Sequence, residues 1–140
     1  MQNSDDDLRR ILTNTHVIAL VGWSPNPDRP SHRVAAYLVS KGYRVIPVNP
    51  GQAGKVVLGE VVRASLSDIP DAIDMVDIFR RSEEVSAVVD EALRVLPGLT
   101  AIWMQLGVED AIAAAKARAA GLDVVMNRCP AIEIPRLGLR

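Results

Sequence analysis

The stretch that decides the fold is Val17–Ser31, which reads VIALVGWSPNPDRPS. Its first five residues are all apolar and end at Gly22, a pattern typical of a strand buried in a parallel sheet. A proline-rich loop follows, and the apolar residues between Ser31 and about Ser40 then recur at helical spacing. A buried strand, a glycine turn and a helix in this order predict the first half of a nucleotide-binding βαβ unit.

The same alternation continues along the chain. Further strands are predicted at Tyr43–Val48, Val61–Ala64, Met75–Phe79, Ala101–Gln105 and Leu122–Met126. Three helices are predicted to begin at caps formed by Ser4, Ser31 and Ser82, and a fourth is predicted over Glu109–Ala120. Gly51–Gly59 is predicted to be a loop beside the ligand site. The alternation predicts the α/β class: a doubly wound, Rossmann-like parallel sheet of about five to six strands, with helices on both faces in three layers. We expect a single domain over residues 1–140, with an N-terminal helix in 1–15 and the core in 16–133.

Residues that follow each predicted strand are the candidates for a site, because ligands of such sheets bind outside the carboxyl ends of the strands. Four arginines occur in these turns, Arg29, Arg80, Arg81 and Arg128. A cluster of guanidinium groups suits an anion with several phosphates. The helix that begins near Ser31 adds free backbone N–H groups and the positive end of its dipole.

The first turn lacks the glycine pattern of a dinucleotide site. That pattern is G-x-G-x-x-G, and here only Gly22 is kept, with Ser24 and Pro27 at the other two positions. NAD sites also place an Asp or Glu about 20 residues further on to hold the ribose hydroxyls, whereas this chain has Asn49-Pro50 there. A nucleotide phosphorylated on its ribose is therefore favoured, and an NAD(P)-binding redox enzyme or sensor is the alternative.

Several stretches together resemble the stand-alone CoA-binding proteins, whose Rossmann-like domain also forms the CoA-binding part of the succinyl-CoA synthetase α subunit. They are VIALVGWSPNPDRPSHRVAAYL, GYRVIPVNP, VDIFRRSEEV, IWMQLGV and NRCPAIE, in that order from Val17 to Glu133. The resemblance implies that coenzyme A is the ligand and that Ser24–Pro27 hold its phosphates. It also implies that Asn49–Gln52 flank the adenosine part and that Met104–Leu106 line the path of the pantetheine arm. The chain departs from the synthetase pattern in its longer, proline-rich first loop.

The turns and the resemblance together predict a site for coenzyme A or an acyl-CoA. Its candidate residues lie at or just beyond the strand ends: Gly22, Trp23, Ser24, Pro25, Asn26, Pro27, Arg29, Ser31, Asn49, Pro50, Gln52, Lys55, Phe79, Arg80, Arg81, Met104, Gln105, Leu106, Asn127 and Arg128. We name no catalytic residue, since no Ser, Cys or acid partner is readable near His16. His32, in the first turn of its helix, either faces a phosphate or is solvated. We therefore expect a CoA-binding protein without chemistry of its own.

Composition excludes several other classes. The net charge of −1 argues against general nucleic-acid binding, which needs a strongly basic face. No apolar run reaches the length of a membrane span, and two histidines and one cysteine, widely spread, argue against a zinc site. A single cysteine fits a reducing cytoplasm, so we expect a cytoplasmic protein with a small-molecule ligand. A protein partner, for which CoA or an acyl-CoA would be a signal, stays open.

Two further residues carry expectations of their own. Cys129 follows the last predicted strand, near the ligand end of the sheet. It is either a small buried apolar residue or a thiol, activated by the neighbouring Arg128, that forms a mixed disulfide with CoA. Asp77 lies inside a predicted strand and is expected to be buried in the sheet with a partner.

Overall fold

The computed structural model describes residues 3–139. Its main sheet contains five parallel strands, β1 (Val17–Val21), β2 (Arg44–Val48), β5 (Met75–Ile78), β6 (Ala101–Met104) and β7 (Asp123–Val125). Two short strands, β3 (Val56–Val57) and β4 (Glu60–Val61), form a separate antiparallel hairpin. The helices are α1 (Asp5–Asn14), α2 (Pro30–Ser40), α3 (Val85–Val95), α4 (Ala111–Ala119) and α5 (Pro130–Arg136).

The order of the strands across the main sheet is β2-β1-β5-β6-β7. The chain leaves β1 toward one side to form β2 and returns to the other side to form β5, so the winding direction reverses between β1 and β5. Loops that leave these two strands at their carboxyl ends diverge and open a crevice between them. The fold therefore places the crevice beside Gly22, after β1, and Phe79, after β5.

Each face of the sheet has its own hydrophobic core. Ala19 and Val21 of β1 point to the face that α3 and α4 cover. Ile18 and Leu20 of the same strand point to the face that α1, α2 and α5 cover. Alternation of side chains along a strand explains why a continuous apolar run is needed when helices pack on both faces. The predicted fold class, a Rossmann-like parallel sheet with helices on both faces, is confirmed.

Four local predictions were wrong. Residues 51–59, predicted to be a loop, contain strand β3 and most of a 3₁₀ turn over Pro50–Gln52. The segment predicted as strand Val61–Ala64 supplies only the end of the small hairpin and one parallel bridge between Val48 and Arg63. Ser31 does not cap α2, because the helix begins at Pro30 with Arg29 as the capping residue. Ser82 does not cap α3 either, since a short 3₁₀ turn over Ser82–Glu84 precedes that helix.

The last helix, α5, was not predicted. It is seven residues long, begins at Pro130 and contains a second proline, Pro135. Proline suits the first turn of a helix but removes a hydrogen bond inside one, so the sequence pattern resembles a coil. Burial of Ile134 against the core holds α5 in place, which shows that tertiary packing and not local propensity forms this helix.

Gly22 lies at the tightest point of the fold, and its replacement by alanine is predicted to destabilise the protein. Its φ is +91°, and a Cβ there would lie 2.6 Å from the Phe79 carbonyl oxygen. Gly42 is the matched control, because its φ is +96° but a Cβ there would meet nothing within 4 Å. Gly42→Ala should cost about 1–2 kcal/mol for backbone strain alone, and Gly22→Ala clearly more. Urea denaturation of both variants measures the difference, and equal losses would contradict the close approach.

Candidate functional site

Backbone hydrogen bonds fasten the first loop to the end of the neighbouring strand. The amides of Gly22 and Trp23 both donate to the carbonyl oxygen of Val48, over 3.0 Å and 3.3 Å. The Asn49 side chain adds two bonds, donating to the Trp23 carbonyl over 2.7 Å and accepting from the Gly51 amide over 2.8 Å. Asn49 therefore acts as a bridge between the loops that follow β1 and β2.

The loop between β1 and α2 is held by its own polar side chains. Ser24 Oγ accepts from the Asn26 amide over 3.1 Å, and Asn26 Oδ1 accepts from the Asp28 amide over 2.9 Å. His32 Nδ1 lies 2.9 Å from the Ser24 carbonyl oxygen, and its ring stacks on Trp23 with centroids 5.7 Å apart. These bonds give a loop with two prolines, Pro25 and Pro27, a defined shape beside the first turn of α2.

A cleft of about 430 Å³ opens where the strand order reverses. We call it the polar cleft, and it is lined by Gly22, Trp23, Ser24, Arg29, Pro30, Ser31, Asn49, Phe79, Arg80, Arg81 and Glu84. All of these except Pro30 and Glu84 were candidates from the sequence. The N-terminus of α2, where Arg29 makes no side-chain capping bond, forms one wall, so the positive end of the helix dipole faces an anion bound there.

The polar cleft contains three of the four arginines expected at the site. Arg80 donates to Glu84 over 2.7 Å, and this bond holds the pKa of the Glu84 carboxyl below its usual value. The Arg81 guanidinium lies 3.5 Å from Glu83 and is largely exposed. For Arg29 no carboxylate partner is found within residues 3–139. Since surface ion pairs are weak, these cations are available to a phosphate.

A second cleft, of about 420 Å³, adjoins the first. We call it the apolar cleft, and it is lined by Pro30, Val34, Phe79, Arg80, Arg81, Gln105, Leu106, Gly107, Val108 and Cys129. Phe79, Arg80 and Arg81 belong to both clefts. The two clefts therefore adjoin along this shared wall, and we call them together the channel, with the polar cleft as its charged end and the apolar cleft as its mainly apolar end.

A third cleft, of about 380 Å³, lies on the other side of the polar cleft, between the end of β2 and α3. Pro50, Ser65 and Leu66 form part of its wall, and Gly22 and Arg80 connect it to the polar cleft. We call it the α3 cleft. Pro50, a candidate from the sequence, thus lines a cleft, although not the polar one.

Other candidate residues lie away from the clefts. Met104 is fully buried in the core on the α3 side, so its side chain does not line the channel. Gln52 and Lys55 bond to each other on an exposed turn and line none of the three clefts. Pro25 and Pro27 lie on the exposed part of the first loop.

The residues after β7 form hydrogen bonds and ion pairs with neighbouring segments and do not line the clefts. Asn127, with φ +58°, accepts from the Gly107 amide over 2.7 Å. Arg128 forms an ion pair over 3.1 Å with the buried Glu133, which also pairs with Arg136. The fourth arginine is therefore held by a carboxylate of α5 and does not join the cluster in the polar cleft. For the same reason its guanidinium is engaged with Glu133 and not with the thiol of Cys129, which is itself buried.

The expectation for Asp77 is confirmed, and its partner is Gln105. Asp77 is 0% exposed, and one polar atom of the Gln105 amide lies 2.9 Å from its Oδ1 and 3.2 Å from its Oδ2. Burial raises the pKa of the Asp77 carboxyl well above its usual value. The sequence did not identify this pair, because the two residues are joined only when β5 and β6 lie side by side.

A metal site and a membrane-spanning helix are both absent from the part of the chain that the structure describes. Among residues 3–139 there is no cluster of histidine, cysteine, aspartate or glutamate suited to a metal ion. Within the same range no helix is both long enough and apolar enough to cross a membrane.

Comparison with known proteins gives relatives of similar length and fold. The uncharacterized protein YneT of Bacillus subtilis strain 168 is 37% identical over 130 residues, which are 92% of this chain and 93% of YneT. The solved structure of a hypothetical protein from Pyrococcus horikoshii OT3 is 41% identical, with a TM-score of 0.88, and the match covers 96% of this chain and 92% of that one.

A second similar structure belongs to a larger protein. It is the dinucleotide-forming acetyl-coenzyme A synthetase 1 of Ca. Korarchaeum cryptofilum, in complex with phosphate and ADP. It is 25% identical, with a TM-score of 0.67, over 85% of this chain but only 27% of that chain. Residues 16–135 match the family model of the CoA binding domain. This range contains every strand and cleft described above. The resemblance seen in the sequence is thus confirmed, and the chain belongs to the CoA-binding domain family.

Proposed function

We propose that this protein binds coenzyme A or an acyl-CoA along the channel at the carboxyl edge of its sheet, and that it performs no chemistry of its own. The observation that carries the proposal is that the polar and apolar clefts adjoin and share Phe79, Arg80 and Arg81 in their walls. Coenzyme A has the same division, since its phosphates lie at one end and its uncharged pantetheine arm at the other.

The polar cleft suits the phosphates. Arg29, Arg80 and Arg81 supply positive charge from two different loops, and α2 supplies the positive end of its dipole. Guanidinium groups form the strongest hydrogen bonds with phosphate oxygens, because they present two parallel donors. The α3 cleft next to Pro50 then receives the adenosine, in line with the expectation that the turn after β2 flanks this part of the ligand.

The structure argues against the NAD-binding form of the alternative, a redox enzyme or sensor. An NAD site needs a group at the end of the second strand that accepts hydrogen bonds from the ribose. Asn49 occupies that position here, and its amide is already bonded to Trp23 and Gly51. Its side chain is a structural bridge, so we assign it no contact with a ribose hydroxyl.

The apolar cleft suits the pantetheine arm and the thiol or thioester at its end. Val34, Phe79, Leu106 and Val108 provide the apolar wall. The acetyl-coenzyme A synthetase among the similar structures acts on CoA by its name and contains a comparable fold as one part of a longer chain. In this chain we assign no residue to catalysis, and a partner protein that reads the CoA-bound state is compatible with a binding role.

The first test is the choice of nucleotide. We predict that coenzyme A binds more tightly than NAD⁺, because besides its diphosphate it carries a separate ribose phosphate for the three cleft arginines. We predict that it also binds more tightly than NADP⁺, which has a ribose phosphate too, because the chain belongs to the CoA-binding family and its first turn lacks the dinucleotide glycines. Affinity should fall with added salt, since partly exposed phosphate–arginine pairs are screened. Calorimetric titration of all three compounds into protein stripped of bound ligand measures this. Tighter binding of NAD⁺ than of coenzyme A would favour the redox alternative.

Arginine variants separate a ligand contact from a structural one. We expect Arg29→Ala and Arg80→Ala each to weaken CoA binding by roughly 1–3 kcal/mol, the range for charged hydrogen bonds. Arg128→Ala is the control, because its guanidinium pairs with Glu133 outside the clefts. It should leave CoA affinity within about twofold and lower the free energy of unfolding by about 1–2 kcal/mol. Loss of CoA affinity in Arg128→Ala alone would contradict the placement of the phosphates.

The single cysteine reports on the apolar cleft. Cys129 is only 6% exposed but forms part of the wall of that cleft. Acetyl-CoA, which has no free thiol, should therefore slow alkylation of Cys129, whereas adenosine 3′,5′-bisphosphate, which lacks the pantetheine arm, should not. Intact mass spectrometry follows the reaction at one site, and equal protection by both compounds would place the arm elsewhere.

The mixed disulfide considered from the sequence stays a prediction that the same measurement decides. The Cys129 thiolate would attack CoA disulfide and release one CoA thiolate. A gain of one CoA in mass that a reductant reverses would confirm the reactive thiol. An unchanged mass would assign Cys129 a packing role alone.

A further inference from the structure

The part of the apolar cleft that it does not share with the polar cleft has no charged side chain in its wall. That part consists of Val34, Gln105, Leu106, Gly107, Val108 and Cys129, and we call it the distal wall. None of these six residues is an aspartate, glutamate, lysine, arginine or histidine. A ligand group that lies there therefore meets mainly apolar surface, with one amide and one thiol as the polar side-chain groups of the wall.

Hydrogen-bond donors of the distal wall are already bonded to the protein. The Gly107 amide donates to Asn127 Oδ1 over 2.7 Å. The Val108 amide donates to the Gln105 backbone carbonyl over 2.8 Å. The side-chain nitrogen of Gln105 lies 2.9 Å and 3.2 Å from the two carboxyl oxygens of Asp77, in the orientation that satisfies both polar atoms of the Gln105 amide. A carboxylate needs donors or a cation in place of its hydration shell, and these three groups do not supply them.

The arginines adjacent to the distal wall have other partners. Arg128 precedes Cys129 in the chain, but its guanidinium pairs with Glu133 over 3.1 Å. Glu133 also lies in the first turn of α5, where its charge compensates the positive end of the helix dipole next to Cys129. Arg80 and Arg81 line the polar cleft as well, and the proposed function assigns them to the phosphates. An anion at the distal wall is therefore left without a cation of its own.

The distal wall also presents apolar surface to solvent. Leu106 is 57% exposed, and it lies in the same wall as the buried side chains of Val34 and Val108. A hydrocarbon group placed against these side chains is removed from water together with them, and each buried methylene strengthens binding about fourfold. A carboxylate gains nothing from this surface and loses its hydration. The charge and the apolar surface of the wall thus favour the same kind of group.

We propose that the apolar cleft accepts the neutral hydrocarbon group of a short-chain acyl-CoA and discriminates against acyl groups that end in a carboxylate. The inference rests on the proposed function, which places the end of the pantetheine arm in this cleft. A hydrocarbon acyl group covers Leu106 and needs no polar partner, whereas a carboxylate there exchanges water for uncharged wall atoms. The distal wall, and Leu106 in particular, thereby determines which class of acyl-CoA binds.

The experiment compares propionyl-CoA with malonyl-CoA by calorimetric titration at pH 7. The two acyl groups have the same number of carbons, and only the malonyl group carries a carboxylate. Propionyl-CoA should bind about tenfold more tightly than malonyl-CoA, because the carboxylate is partly desolvated without a partner. Equal affinities, or tighter binding of malonyl-CoA, would overturn the proposal.

A cation introduced into the distal wall should reduce the preference. Leu106→Lys places an ammonium group at an exposed position, and it should strengthen malonyl-CoA binding relative to propionyl-CoA about fivefold, the effect of one partly exposed ion pair. Ile112→Lys is the matched control, because Ile112 is an exposed apolar residue of α4 that lines none of the three clefts. Both variants have the same net charge, and thermal unfolding establishes that both are folded. An equal change in the two variants would assign the effect to net charge and contradict the role of the distal wall.

Titration of coenzyme A itself separates this inference from the proposed function, because coenzyme A has no acyl group. Wild-type protein that binds coenzyme A but does not distinguish propionyl-CoA from malonyl-CoA would contradict the acyl preference alone. Wild-type protein that binds none of the three compounds would contradict the proposed function. The two failures are therefore distinguishable, and the wild-type comparison does not depend on either variant.

Discussion

The close approach of two strand ends at Gly22 is the constraint on which the site depends. The Gly22 and Trp23 amides both bond to the carbonyl oxygen of Val48, and the Cα of Gly22 lies against the backbone of Phe79, where no Cβ fits. The carboxyl ends of β1, β2 and β5 are therefore drawn together at one residue. Because the strand order reverses at the same place, the loops that leave these strands diverge and the clefts open between them.

The turn after β5 lies between the polar and the apolar clefts and supplies both apolar and charged groups to them. Phe79 presents an apolar ring to both main clefts, and Arg80 and Arg81 follow it with two cations at the chain's exit from the sheet. The 3₁₀ turn over Ser82–Glu84 then carries Glu84 back to Arg80. This ion pair keeps the guanidinium near the cleft without neutralising the cluster, since partly exposed pairs exchange readily with a stronger anionic partner.

Two buried carboxyl groups show how differently the core accommodates an acid. Glu133, on α5, is bonded to both Arg128 and Arg136 and lies near the surface, where the guanidinium groups remain partly hydrated. Asp77 lies at the centre of the sheet with an uncharged amide as its partner. The first arrangement anchors a helix that has little propensity of its own. In the second, burial raises the pKa of the Asp77 carboxyl well above its usual value.

A feature was predictable from the sequence when it depends on residues close together in the chain, and not when it depends on contacts between distant segments. The buried strand Val17–Val21 and the glycine after it were predictable, because a five-residue apolar run has few alternatives in a chain of alternating elements. So were Arg29, Arg80 and Arg81 as cleft residues, since parallel strands bring their carboxyl ends to one edge. Met104 was misplaced because an offset of one residue along a strand turns a side chain to the opposite face.

The sequence by itself determined the fold class, the family and the edge of the sheet where the clefts lie, since these follow from the local order of apolar runs, turns and motifs. Only the tertiary structure decided which polar residues meet there. Arg128 forms an ion pair with Glu133 and does not join the cleft arginines. Asn49 bridges two loops by hydrogen bonds, and Gln105 lies within hydrogen-bond distance of Asp77. Each of these pairings joins separate segments across the fold, and the distance and orientation that a hydrogen bond requires are set by packing, which no local pattern encodes.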